Sequence, residues 1–115
     1  MPPTLGDRLE HIIAAIDTTE EILRHNSPDD LGKNIFARLA LERALQIICE
    51  ASRHVPDKIK SAYTEIDWRA VTDLGNILRH AYHRVEIPRL LKIARTDLPP
   101  LKAFVERVLA EEKKR

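Results

Sequence analysis

Apolar residues return along this chain every three or four positions, the period of an amphipathic α-helix, and nowhere alternate as a half-buried strand requires. Leu9, Ile12, Ile13, Ile16 and Leu23 make one such stripe, predicting a first helix over about Leu5 to His25 with Thr4 as its N-cap. Ser27-Pro28-Asp29-Asp30 reads as a turn that also begins the next helix. Ser27 can cap it, Pro28 suits the first helical position, and two acids suit the positive end of the dipole. Gly32 weakens that turn, so the firm helix is expected from Lys33 or Asn34. From Ile35 to Ala51 twelve of seventeen residues are apolar, and Arg38, Glu42, Arg43, Gln46 and Glu50 occupy a sector of about 140°. The apolar arc is wider than one neighbouring helix can cover. This helix is therefore expected at the bundle centre, on a face shared with a second subunit, or both.

Arg53-His54-Val55-Pro56 should end it, because a residue before proline is driven out of helical geometry. A short helix over Pro56 to Ala62 follows. Asp67 then caps a helix running from Trp68 to about Arg84, and Trp68 is expected to wedge between helices. Glu86-Ile87-Pro88 restarts the chain, and Asp97-Leu98-Pro99-Pro100 predicts a cap and a new last helix carrying Leu101, Phe104, Val105 and Val108. The expected fold is all-α, an up-and-down bundle of four to five helices, with residues 1–115 as one domain.

The stretch from Leu74 to Arg84 is the one place where imidazoles, a phenol and guanidinium groups crowd together. Val71, Leu74, Leu78, Ala81 and Val85 stack into an apolar seam at about 100° per residue. Asn76, His80 and His83 fall on the far side, His80 roughly 180° from Val71, and should face solvent or a partner. Tyr82 lies within about 20° of Val71, so its ring belongs against the seam and an ideal helix keeps it apart from His80.

Composition narrows the function classes. The 115 residues carry 19 Lys and Arg against 18 Asp and Glu, a net charge of +1. That balance hides an asymmetry: residues 1 to 30 hold seven acids against Arg8 and Arg24, while residues 79 to 95 hold Arg79, Arg84, Arg89, Lys92 and Arg95 against Glu86. The basic stretch can meet phosphate, or the acidic one across the bundle or a dimer. No apolar run reaches the roughly 20 residues that cross a bilayer and the start shows no signal peptide, so a cytoplasmic protein with no membrane role is expected. The single cysteine, Cys49, reads as a buried packing residue. Phosphate-binding loops and nucleophile constellations are absent. His80 and His83 have a possible ligand spacing, but no carboxylate or thiol stands at a matching offset and the flanks are basic, so neither metal nor cofactor is expected.

Asn76-Ile77-Leu78-Arg79-His80-Ala81-Tyr82 resembles the signature of the HepT-like proteins, a branch of the prokaryotic HEPN domains, in which Arg-Asn, three residues, His, any residue and Tyr follow in order. Ile48-Cys49-Glu50-Ala51 resembles that family's Gly-Glu-Ala turn, Ile66-Asp67-Trp68 its helix start, and Asp97-Leu98-Pro99 its Asp-Leu-Pro. The resemblance implies a HEPN-like symmetric homodimer and a metal-independent endoribonuclease whose groove lies between two protomers. It implies His80 as acid or base, Asn76 as positioner, Arg79, His83 and Arg84 toward RNA phosphate, and Tyr82 as orienter. It also implies one half of a toxin and antitoxin pair with a minimal nucleotidyltransferase, Tyr82 being the residue that receives AMP.

One departure from the pattern matters most. The family's arginine would stand at position 75, where this chain has Gly75. Loss of such an electrostatic contact typically costs two to three orders of magnitude in rate, which Arg79 or Arg84 would have to make good. Gly75 also admits a packing explanation, since it lies near the seam and would let another backbone come close. The alternative reading is a non-catalytic helical module that binds the nucleotidyltransferase.

Overall fold

The computed structural model describes residues 2–80, 83 and 85–114, and among these no strand occurs. The elements are α1 (Leu5–His25), α2 (Pro28–Lys33), α3 (Ile35–Arg53), α4 (Asp57–Ala62), α5 (Trp68–His80), α6 (Ile87–Lys92), a π turn (Ile93–Asp97) and α7 (Leu98–Lys113). The fold is an all-α bundle. Its principal members are α1, α3, α5 and the rod formed by α6, the π turn and α7; α2 and α4 are connecting turns.

Local chemistry accounts for the starts. Thr4 and Asp7 form a capping box, each side chain bonding the other's backbone N–H at 3.1 and 2.9 Å. Ser27 and Asp30 repeat it at 3.1 and 2.9 Å. The firm helix begins at Ile35 with Asn34 as its cap, close to the expected start, but the turn before it is not merely weakened by Gly32. Instead α2 closes as a helix of its own, and Asn34 caps α3 by accepting from the N–H groups of Phe36 and Ala37. The carboxylate of Asp67 accepts from Ala70 N at 2.9 Å and starts α5.

Asp97 behaves differently from the expected cap. Its backbone is helical (φ −92°, ψ −29°) and its side chain makes no capping bond. Pro99 and Pro100 offer no N–H to the carbonyls four residues back, which would ordinarily break the helix. Here Leu98 N reaches five residues back to Ile93 O, and the widened turn carries the rod through.

The helices join through Leu9, Ile12 and Ile16 of α1, Leu41, Leu45 and Ile48 of α3, Leu74 of α5, and Leu101 and Phe104 of α7, all fully buried. Each such side chain contributes roughly 1.5–3 kcal/mol of transfer free energy. Trp68 is the expected wedge: its ring stands edge-on to Phe104 at 5.1 Å and its indole N–H donates to Tyr63 O. α3 packs most extensively on α1 and next on α5, so it is the spine. Its first two turns nevertheless leave Ile35, Phe36 and Leu39 more than half exposed, Phe36 at 82%. No helix among the described residues is long and apolar enough to cross a membrane.

Candidate functional site

α5 buries Val71, Leu74, Gly75 and Leu78 and exposes Asn76, Arg79 and His80; His83, in a turn just beyond it, is also exposed. The outward face expected from the sequence is thus present, with Asn76 one turn before His80. Tyr82 and Arg84 lie outside the described residues.

Gly75 faces α3. A Cβ built there would stand 2.8 Å from the Cβ of Cys49, so the two helices meet almost backbone to backbone at this point. An arginine at 75 would begin inside this contact. Cys49 itself is buried, and burial pushes its thiol up to about 12, with Glu50 adding to the rise, so it stays protonated and packs as expected.

The close approach sets up a contact that the sequence did not disclose. Glu50, next to Cys49, accepts from the Arg79 guanidinium at 2.5 Å, and Arg53 at the end of α3 reaches the same carboxylate at 3.4 Å. Glu50, part of the polar sector of α3, is thus a tertiary link between α3 and α5. It stands 29 residues from Arg79, so no local spacing could reveal the pair. Arg79 is therefore engaged in part, though each partner keeps about a third of its side chain exposed. Arg38 pairs with Glu42 four residues on at 2.9 Å, and also donates to Val85 O, which ties the segment after α5 to the spine.

The acidic first stretch finds a partner in α7. Lys102 bonds Glu20 at 3.0 Å and lies 3.8 Å from Asp17, a different pairing from the basic stretch 79 to 95. Among the described residues no group of three or more His, Cys, Asp or Glu could hold a metal ion.

Residues 12–108 match the family model described as ribonuclease HepT-like. The chain belongs to the HepT-like family. A "Probable ribonuclease HepT" of Thermococcus cleftensis is 36% identical over 102 residues, covering 89% of this chain and 93% of that protein. A Methanocaldococcus jannaschii protein named "Putative RNase MJ1380" is 34% identical over 102 residues, covering 89% and 90%. No solved structure matches this HepT-like chain significantly. The matched region contains both the α3 turn around Glu50 and the whole outer face of α5.

Proposed function

We propose that this HepT-like protein is an endoribonuclease that works without a metal ion, acting in the cytoplasm as one component of a toxin and antitoxin pair with a minimal nucleotidyltransferase. The observation that carries the reading is the outer face of α5, where Asn76, Arg79 and His80 are exposed together in a chain of the ribonuclease HepT-like family. RNA supplies its own nucleophile. One His80 takes the proton of a 2′-hydroxyl as O2′ bonds to phosphorus; the partner's His80 gives a proton to O5′ as the P–O5′ bond breaks. The products are a 2′,3′-cyclic phosphate and a 5′-hydroxyl. Asn76 positions the phosphate by hydrogen bonding, and Arg79, His83 and Arg84 stabilise its charge.

This chemistry needs two protomers, with residues 1–115 of each acting as one helical domain. The exposed Ile35, Phe36 and Leu39 are the surface we assign to that pairing. Leu39 and Arg43, three and seven residues after Phe36 and so on its side of α3, line a recess of about 230 Å³ together with Glu42, Gln46 and Leu78. A knob and a hole on one face can satisfy each other across a two-fold axis. Leu78 belongs to α5, so such a dimer would bring the two α5 helices toward one furrow.

Single-stranded RNA incubated with the protein in EDTA should yield cyclic-phosphate ends, and His80→Ala should slow cleavage by roughly 10²–10⁴-fold. Absence of cleavage at micromolar protein, or unchanged cutting by His80→Ala, defeats the reading.

A second reading is favoured by Gly75, whose buried place against Cys49 leaves the motif without its arginine. The protein would then serve as a non-catalytic module for the nucleotidyltransferase, with Tyr82 receiving AMP from it. Mass spectrometry after incubation with ATP and that enzyme should find one AMP on Tyr82; an unmodified tyrosine removes this role.

A further inference from the structure

Two guanidinium groups share the Glu50 carboxylate, one from the last turn of each of two helices: Arg53 of α3 and Arg79 of α5. One terminal nitrogen of each contacts it, Arg53 Nη1 at 3.4 Å and Arg79 Nη2 at 2.5 Å. A guanidinium has five N–H donors, so most of each fork remains for another acceptor. The group of three carries a net charge of +1 and is a third to a half exposed. An arrangement this open leaves those remaining donors within reach of an anion in solution while Glu50 keeps its own contacts. A phosphodiester offers two oxygens on one atom, as a carboxylate does, and binds guanidinium forks in the same planar manner.

The close approach at Gly75 accounts for Arg79 joining the Arg53–Glu50 pair. The helices meet where its missing Cβ leaves room for Cys49. Glu50 follows Cys49 in the chain, and Arg79 lies one turn beyond Gly75, about 40° around the axis. A side chain at 75 would hold α3 and α5 apart and draw Glu50 away from Arg79.

We propose that Arg53 and Arg79, held side by side by Glu50, form a two-guanidinium clamp for a phosphate of single-stranded RNA, and that this clamp takes the place of the arginine missing at position 75. Arg53 is the new binding residue and Glu50 the positioning residue. The proposal rests on the ribonuclease reading for its ligand, but makes a claim about binding that does not require cutting.

The test uses the full-length protein and a 2′-O-methyl oligoribonucleotide, which lacks the nucleophile and is not cleaved. Binding is followed by fluorescence anisotropy over a range of salt. Each phosphate contact contributes about 0.7 to the slope of log K against log salt for a single strand. Arg53→Gln should lower the slope by about that amount and weaken binding several-fold at low salt. Arg24→Gln is the control. Arg24 pairs with Glu21 three residues away, much as Arg53 does with Glu50, but at the end of α1. It should leave the slope unchanged. An Arg53→Gln slope equal to wild type, or an equal drop in Arg24→Gln, overturns the clamp. So does a wild-type protein that does not bind the oligonucleotide. Binding with the predicted slopes but no cleavage of ordinary RNA would sink the ribonuclease reading and leave the clamp standing. Glu50→Ala supplies the positioning test: loss of a negative charge alone would strengthen binding, whereas loss of the scaffold should weaken it and reduce the difference that Arg53→Gln makes.

Discussion

A Cβ placed at position 75 would stand 2.8 Å from the Cβ of Cys49, nearer than two packed carbons approach. Gly75→Arg should therefore cost about 1–3 kcal/mol through overpacking, a fall in Tm of several degrees for a domain of this size. Cys49→Gly removes the obstructing atoms while costing roughly a few tenths of a kcal/mol of helix propensity besides the lost packing of the thiol. The double variant should lose less than the sum of the singles, with a coupling of roughly 0.5–3 kcal/mol measured by thermal denaturation. Strict additivity would mean that the two positions do not oppose each other. The HepT-like turn that α3 resembles has glycine where Cys49 stands, and the motif that α5 resembles has arginine where Gly75 stands. Their contact makes them one exchange, with the small residue moved from α3 to α5.

The π turn between α6 and α7 carries its own prediction. Asp97 lies in it without a capping bond, and burial, followed by the nearby Asp67 carboxylate, holds its pKa above the ordinary carboxylate value. A carboxyl whose pKa is raised by folding takes up its proton more readily in the native state. Its contribution to stability is therefore lost as pH climbs from the unfolded pKa through the higher folded one. Asp97→Asn should raise Tm at neutral pH, and the advantage should vanish at acid pH, where the carboxyl is protonated in both states. An equal advantage at all pH values would point to a cause other than charge. This turn also marks the limit of what local sequence rules disclose. Period, caps and prolines disclosed α1, α3 and α5, because each depends on neighbours within four residues; the wedge of Trp68 followed from its being a large ring at the first turn of a helix. Asp97-Leu98-Pro99-Pro100 looked like a break, because local rules treat two prolines as a stop and cannot see that a five-residue hydrogen bond and a packed rod override it. The outer face of α5 was legible for the same reason that its helix was. Glu50 and Arg53 were not, since their tie to Arg79 needs the crossing of two helices.

At the scale of the whole molecule, Phe36 is the feature that a lone subunit explains least: a phenylalanine 82% exposed on the helix that otherwise forms the spine. In the dimer we propose, Phe36→Glu places two charges in the apolar contact. Light scattering should find wild type near twice the chain mass and the variant near the chain mass, with helical circular dichroism unchanged. RNA cleavage by the variant should fall in step with dimer content, because in that proposed dimer each furrow would draw a histidine from both subunits. A wild-type protein that stays at the chain mass at high concentration removes the shared furrow. The buried thiol makes a direct view of that furrow practical. Cys49 is the sole cysteine and is shut away in protonated form, so maleimide reagents meet no background on the folded protein. One cysteine engineered at exposed Asp73 would carry a single spin label per subunit, and the separation between two such labels would give the spacing of the paired α5 helices with no ligand bound.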